Sequence, residues 1–259
     1  MITSNANSKI KRVELLIARH KQRKIEACFV IEGKKIVEEA PKELLELILV
    51  SETFSQTNKE FLEGFPKTIT EIVTDKLFKQ ITDLVTEQGI LAVVRKKEEP
   101  FVIKKNMKKG FFIALENIQD PGNMGTILRT ADAAGVNGVL ISAGSVDIYN
   151  PKVVRATMGS VFRVPVWTDL DLTEALGTLK KANTKIFAAH LKAKSSYDKQ
   201  DYLSNTCFLI GNEGNGLTDE LCETADEYIK IPIPGKAESL NAGIAAGILM
   251  YEVIRQRKN

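Results

Sequence analysis

Past residue 110 the chain alternates short apolar runs with helical stretches, and no other feature restricts its fold so strongly. Strand-like runs fall at Phe111 to Leu115, Gly138 to Ser142, Val161 to Val166, Lys185 to Ala189, Cys207 to Gly211 and Tyr228 to Ile233. Nearly continuous apolar strands separated by helices predict a mostly parallel α/β sheet with helices on both faces, because parallel neighbours need long crossovers. Ligands of such sheets lie beyond the carboxyl ends of the strands. Three polar, glycine-containing segments stand there: Asn117 to Gly125 running on to Arg129-Thr130-Ala131, Gly211 to Leu217, and Ile231-Pro232-Ile233-Pro234 followed by Ser239-Leu240-Asn241.

Residues 1–97 read as a separate, smaller α/β unit, and 259 residues are enough for two cores. Helical spacing covers 8–24 and returns at 34–46, 56–63 and 75–86. Strands are expected at Cys28 to Gly33, Leu47 to Val50, Glu71 to Val73 and Ile90 to Val94. A linker is expected over 98–109 and a second domain over 110–259. The break coincides with a basic stretch, Arg95-Lys96-Lys97, Lys104-Lys105 and Lys108-Lys109, interrupted by Glu98, Glu99 and Pro100.

The net charge is only +3, but its distribution is uneven. Lys9, Lys11, Arg12, Arg19, Lys21, Arg23 and Lys24 crowd one segment against the single acid Glu14, with His20 among them. Clustered cations neutralise phosphates and give salt-sensitive nucleic-acid affinity, although solvated helix faces produce the same pattern. The start lacks the apolar core of a secretion signal, and no apolar run approaches the roughly 20 residues a membrane helix needs. A cytoplasmic protein without membrane contact is expected. Cys28, Cys207 and Cys222 are far apart and only His20 and His190 accompany them, which suits buried thiols rather than a metal site.

Each of the three segments permits an ordinary structural reading beside a functional one. Pro121-Gly122 supplies a turn, Asn123 is placed to cap the following helix, and Arg129 lies nearly two turns further along. A ligand along that helix would meet both; a capped surface helix would look the same. Gly211-x-x-Gly214-x-Gly216 follows an apolar run, so backbone amides can approach a cofactor, but the spacing is not the dinucleotide fingerprint and a plain turn is the alternative. No such fingerprint occurs elsewhere, which disfavours a nicotinamide dehydrogenase or an ordinary open-sheet methyltransferase. Glu213 would repel phosphate within that loop but can hold a hydroxyl or a cation. Pro232 and Pro234 make a strand end without ladder donors, leaving carbonyls for a ligand such as adenine. Ser239 or Asn241 then caps the helix from Ala242 to Arg257, whose Gly243, Gly247, Ala245 and Ala246 suit close packing within the subunit or against a second copy. His190 follows a strand and reads as structural, and Trp167 and the phenylalanines form no evident stacking platform.

Taken in order, these motifs resemble the SpoU-type (TrmH-like) branch of the SPOUT superfamily, S-adenosylmethionine-dependent RNA 2′-O-ribose methyltransferases. Asn123 to Ala131 matches its first motif, Ile210 to Leu217 its second and Ile231 to Asn241 its third. Ile2-Thr3-Ser4, Asn7, Lys11 and Phe29 to Gly33 resemble the RNA substrate-binding domain of the rRNA-modifying members, so the likeness covers nearly the whole chain. It implies a C-terminal trefoil knot, a rare exception to unknotted topology, and a homodimer with its active site near the interface. It also implies S-adenosylmethionine held by Gly211, Asn212, Gly216, Ile231, Pro232 and Leu240, and catalysis and RNA positioning by Asn123, Arg129, Glu213, Ser239 and Asn241.

Methyl transfer from a sulfonium to a hydroxyl is an in-line displacement, so the protein must bring the two together and stabilise the oxygen as its proton leaves. Neutralising an arginine at pH 7 costs at least about 7 kcal/mol, which favours an electrostatic role for Arg129 over that of a base. Glu213 is then expected to fix Arg129 or Asn123. Ribosomal RNA is the expected substrate; transfer RNA and a non-catalytic RNA-binding role in ribosome assembly are the alternatives.

Overall fold

The computed structural model describes all residues except 83, 85, 98, 99, 104–106, 192 and 259, so Lys104 and Lys105 of the expected linker lie outside the described residues. The chain forms two compact units, Met1–Glu98 with Asp147–Phe162, and Glu99–Val146 with Arg163–Asn259.

In the first unit the strands are β1 (Cys28–Glu32), β2 (Leu45–Ser51), β3 (Thr70–Val73) and β4 (Ile90–Arg95). They form one mixed sheet in the order β1-β4-β2-β3, with only the β2–β3 pair parallel. Its helices are α1 (Ser8–Ala18), α2 (His20–Ile25), α3 (Lys34–Glu39), α4 (Glu52–Thr57), α5 (Lys59–Glu63) and α6 (Asp75–Ile81). Alternate strand residues point to opposite faces, which gives two cores. Ile10, Val13 and Leu16 of α1 join Val30, Leu49 and Val93 on one side, and Phe29, Ile48, Val50 and Val94 pack on the other. The helix expected over 34–46 stops at Glu39 because Ala40, extended at φ −65° and ψ 136°, precedes Pro41. The helix expected over 8–24 breaks at Arg19, which is extended at φ −123°, and α6 ends at Ile81 with Thr82 extended, while 83 and 85 of the helix expected over 75–86 lie outside the described residues.

The strands of the second unit are β5 (Phe111–Leu115), β6 (Gly138–Ser142), β7 (Val166–Leu170), β8 (Lys185–Ala189), β9 (Ser195–Ser196), β10 (Thr206–Ile210) and β11 (Glu227–Lys230). All seven pair in parallel, in the order β7-β6-β5-β10-β8-β11-β9. The expected parallel α/β sheet is therefore present. Along the chain the helices are α7 (Pro121–Ala133), α8 (Pro151–Thr157), α9 (Leu172–Lys181), α10 (Asp219–Glu223) and α11 (Ala242–Lys258). Of these α8 belongs to the first unit, where Val154 enters the core. Phe112, Ala114, Cys207 and Leu209 bury one sheet face against α9 and α10. On the other face, ring contacts link Phe111, Phe187, Phe208 and Tyr202.

Two strand boundaries differ from the sequence reading by three residues or more, both at prolines. Ser160–Phe162 forms a single 3-10 turn instead of a strand, and the edge strand starts after Pro165, which offers its carbonyl to Val139 N at 2.9 Å but has no N–H to give. β11 likewise ends at Lys230, ahead of Pro232. Burial explains the cysteines: all three are free and buried. Desolvation, with Glu46 adding to it, pushes the Cys28 thiol up to about 11, and burial raises Cys207 and Cys222 as well, so they are neutral thiols near pH 7.

Candidate active site

The exits of β5, β10 and β11 stand on the same edge of the parallel sheet, and the three polar segments leave from them. After β5 the chain turns sharply at Asn117, whose φ is +52°, with its N–H donating to Ser142 Oγ at 2.9 Å. Asp120 then caps α7, its Oδ1 accepting from Asn123 N at 2.7 Å, and Pro121 occupies the first turn. The expectation that Asn123 caps this helix is thus corrected. Asp120-Pro121 places a short acceptor directly before the helix, and Asn123 sits inside the first turn with its side chain left for other work.

That side chain, on a residue only 8% exposed, joins all three segments. Its Nδ2 donates to Glu213 Oε1 at 2.7 Å, and its Oδ1 accepts from Asn241 Nδ2 at 2.7 Å. Asn241 Oδ1 meanwhile accepts from Ile244 N at 3.2 Å, so this residue caps α11 and serves the network at once. Of the two partners expected for Glu213, the structure selects Asn123. A carboxylate beside the first turn of α7, also within 3.5 Å of Gln119 N, is favoured by the unpaired amides there.

The glycine loop is closed by a reciprocal pair of bonds, Asn212 N to Gly216 O and Gly216 N to Asn212 O, both 3.0 Å. Asn212 Oδ1 accepts from Gly214 N and Asn215 N, and its Nδ2 donates to Asn117 O at 2.7 Å. Its side chain therefore shapes the loop from within. A Cβ on Gly211 would lie 2.3 Å from the Gly216 carbonyl carbon, so two backbone segments touch where only glycine fits.

The proline segment is the opposite case. From Pro232 to Leu240 the backbone makes no hydrogen bond with any described residue. Ser239 and Pro232 are exposed, while Ile231 and Leu240 are half-buried. Beside the closed glycine loop, this leaves backbone donors and acceptors of the proline segment open to a ligand, with half-buried apolar side chains at both ends. The residues present fit a nucleoside-bearing donor.

Arg129 and Ser239 are not drawn into the network. Arg129 is exposed and pairs with none of the described residues. His190 follows β8, donates its N–H to Ile229 O and stacks on Tyr228 with ring centres 5.8 Å apart. In the first unit Arg23, 3% exposed, binds Asp147 at 2.7 Å and the carbonyls of Leu16 and Ile17, so its guanidinium faces the fold and not RNA. Arg12 bridges Glu26 and Glu46 at 2.5 and 2.7 Å, and Lys9 pairs with Glu71. Lys11, Arg19, Lys21 and Lys24 are exposed. Among the described residues no group of three or more His, Cys, Asp or Glu is arranged to hold a metal ion, and no helix is long and apolar enough to cross a membrane. The motifs gave no sign of Asp120 as the cap, although Asp before Pro is a recognisable helix start, or of Glu116, whose partner Thr218 is 102 residues away.

Residues 110–251 match the SpoU rRNA Methylase family, and residues 7–92 match the MRM3-like substrate binding domain. The chain belongs to the SpoU rRNA methylase family and is an RNA 2′-O-ribose methyltransferase. It is 32% identical to the 23S rRNA (guanosine(2553)-2′-O)-methyltransferase RlmP of Bacillus subtilis, over 97% of this chain and 98% of that one. The AdoMet-bound rRNA methyltransferase of Sinorhizobium meliloti superposes with a TM-score of 0.86 at 29% identity, covering 98% of this chain and 97% of that one. A solved RNA 2′-O ribose methyltransferase gives 0.84 at 29% identity over 100% and 99%.

Proposed function

We propose that this protein methylates the ribose of a 23S rRNA guanosine in the cytoplasm, with Asn123, Arg129, Glu213, Ser239 and Asn241 as its catalytic and RNA-positioning set. The hydrogen-bonded chain Glu213–Asn123–Asn241 carries this reading, because it fastens the three motifs to one another at the strand ends. S-adenosylmethionine supplies the electrophilic methyl group. The loop backbone around Gly211 and Gly216, and Ile231, Pro232 and Leu240, hold it, while Asn212 keeps the loop in shape. Asn123 engages Glu213 through Nδ2 and Asn241 through Oδ1, and so orients both side chains. Arg129, exposed two turns along α7, binds a phosphate or the developing alkoxide as a permanent cation.

Residues 1–97 form the substrate-binding domain, with Lys11, Arg19 and Lys21 offered to phosphates, and residues 110–259 the methyltransferase domain with its knotted C-terminal part. The chain acts as a homodimer. On α11 Gly243 and Gly247 face Thr126 and Thr130 of α7, which leaves Ile244 and Tyr251, each more than half exposed, for a second copy. Labelled S-adenosylmethionine, purified protein and unmodified 23S rRNA test the proposal: one blocked ribose on a guanosine is expected. Transfer only to tRNA, or none to either RNA, contradicts it.

A further inference from the structure

Glu116 is a buried carboxylate, 8% exposed, with no cationic partner among the described residues. It lies immediately beyond β5, where its N–H donates to Ile210 O at 2.9 Å, the last residue before the glycine loop. Its two carboxylate oxygens accept from the residue that ends the same loop: Thr218 N at 2.8 Å and Thr218 Oγ at 2.7 Å. One residue thus holds both ends of the loop, by its backbone at the entrance and its side chain at the exit. The Thr218 hydroxyl donates to Glu116 and, through a lone pair, accepts from Leu221 N at 3.3 Å to cap α10. The neighbouring Asn117 carbonyl takes the Asn212 amide, so the middle of the loop is tied to the same stretch.

A buried carboxylate without a countercharge needs several hydrogen bonds to be tolerated, and a loop whose two ends they fasten is loosened when they are lost. No contact of Glu116 requires it to touch the donor. We propose that Glu116 is a positioning residue for methyl transfer: by gripping Thr218 it holds the glycine loop in the shape that receives S-adenosylmethionine. The inference rests on the reading of the loop under Proposed function, and it adds a residue to that site. The effect is preorganisation, since a loop already in its bound shape loses less freedom on binding.

Calorimetric titration of the full-length protein with S-adenosylmethionine, beside steady-state methyl transfer, tests this in Glu116→Ala, Thr218→Val, their double variant and Thr218→Ser. In Glu116→Ala the Kd and KM for the donor rise about tenfold while kcat at saturating donor stays within about twofold. Thr218→Val reproduces part of that rise, the double variant is no worse than Glu116→Ala, and Thr218→Ser, which keeps both donors, binds like wild type. Wild-type affinity in a folded Glu116→Ala protein, or fully additive effects in the double variant, would overturn the proposal. So would a fall in kcat at unchanged KM. If Glu116→Ala does not fold, Glu116→Gln, which keeps the shape and removes the charge, is titrated in its place, and wild-type affinity there counts against the proposal equally. Failure of the wild-type protein to bind donor is a different result, and would refute the cofactor reading itself.

Discussion

The glycine loop at 211–218 and the proline segment at 231–240 leave neighbouring parts of one sheet edge, yet they are built in opposite ways. The first is closed on itself by two backbone bonds, filled by the Asn212 side chain and fastened to Glu116 and Asn117. The second has prolines where a ladder would need donors and no backbone bond to any described residue from 232 to 240. Rigidity in one half and free hydrogen-bonding groups in the other is the division of labour a binding site needs: a fixed floor, and a wall that completes itself on the ligand. Substitutions should therefore harm the two halves differently.

The largest effect is expected at Gly211. Gly211→Ala drives a methyl group into the Gly216 and Leu217 backbone, with contacts of 2.3–2.4 Å. Overpacking of this kind costs about 1–3 kcal/mol, so donor affinity measured by calorimetry should fall by about 5- to 150-fold. Next comes Asn123→Ala, which leaves the Glu213 and Asn241 groups without their shared partner and should lower kcat about tenfold or more while donor affinity changes little. Equal losses in Kd and kcat would show that the Asn123 network also shapes the donor site. In the proline segment, Pro232→Ala removes stiffness without removing a contact; the KM for donor should rise about two- to fivefold, with the melting temperature unchanged within about 2 °C.

Much of this architecture was legible in the sequence because parallel strands buried on both faces read as apolar runs. Phe111 to Leu115, Gly138 to Ser142 and Lys185 to Ala189 were placed to the residue. The misplaced strand at 161–166 failed where Arg163 and Pro165 interrupt the pattern, and where the chain belongs to the other compact unit up to Phe162. Motif order singled out Asn123, Glu213 and Asn241, which the structure brings together, but the bonds among them depend on contacts 90 and 118 residues apart, which no local spacing encodes. The basic segment at 9–24 was the least informative. Its charges read alike in sequence, yet Arg23 is interior, Arg12 and Lys9 bind carboxylates, and Lys11, Arg19 and Lys21 face solvent.

The smallest effect concerns the helix behind the site. The Arg255 guanidinium, hydrogen-bonded to Glu252, holds that carboxyl below the usual carboxylate range, with burial pulling the other way. A lowered folded-state pKa contributes stability above the unfolded value of about 4.3 and loses it as pH falls through the folded one. Glu252→Gln should thus be less stable than wild type at pH 7, and denaturant melts should bring the two together as the pH drops below about 4. A gap independent of pH would assign the effect to packing alone.

Hydrogen exchange with and without S-adenosylmethionine tests the contrast between the two segments most directly. Amides at 233 and 235–240 should exchange freely in the unliganded protein and gain strong protection on binding, while those of Asn212 and Gly216 are already protected and change little. Unchanged exchange across 233–240 in saturated protein, or protection appearing away from the ends of β5, β10 and β11, would contradict the assignment of this edge as the methyl-donor site.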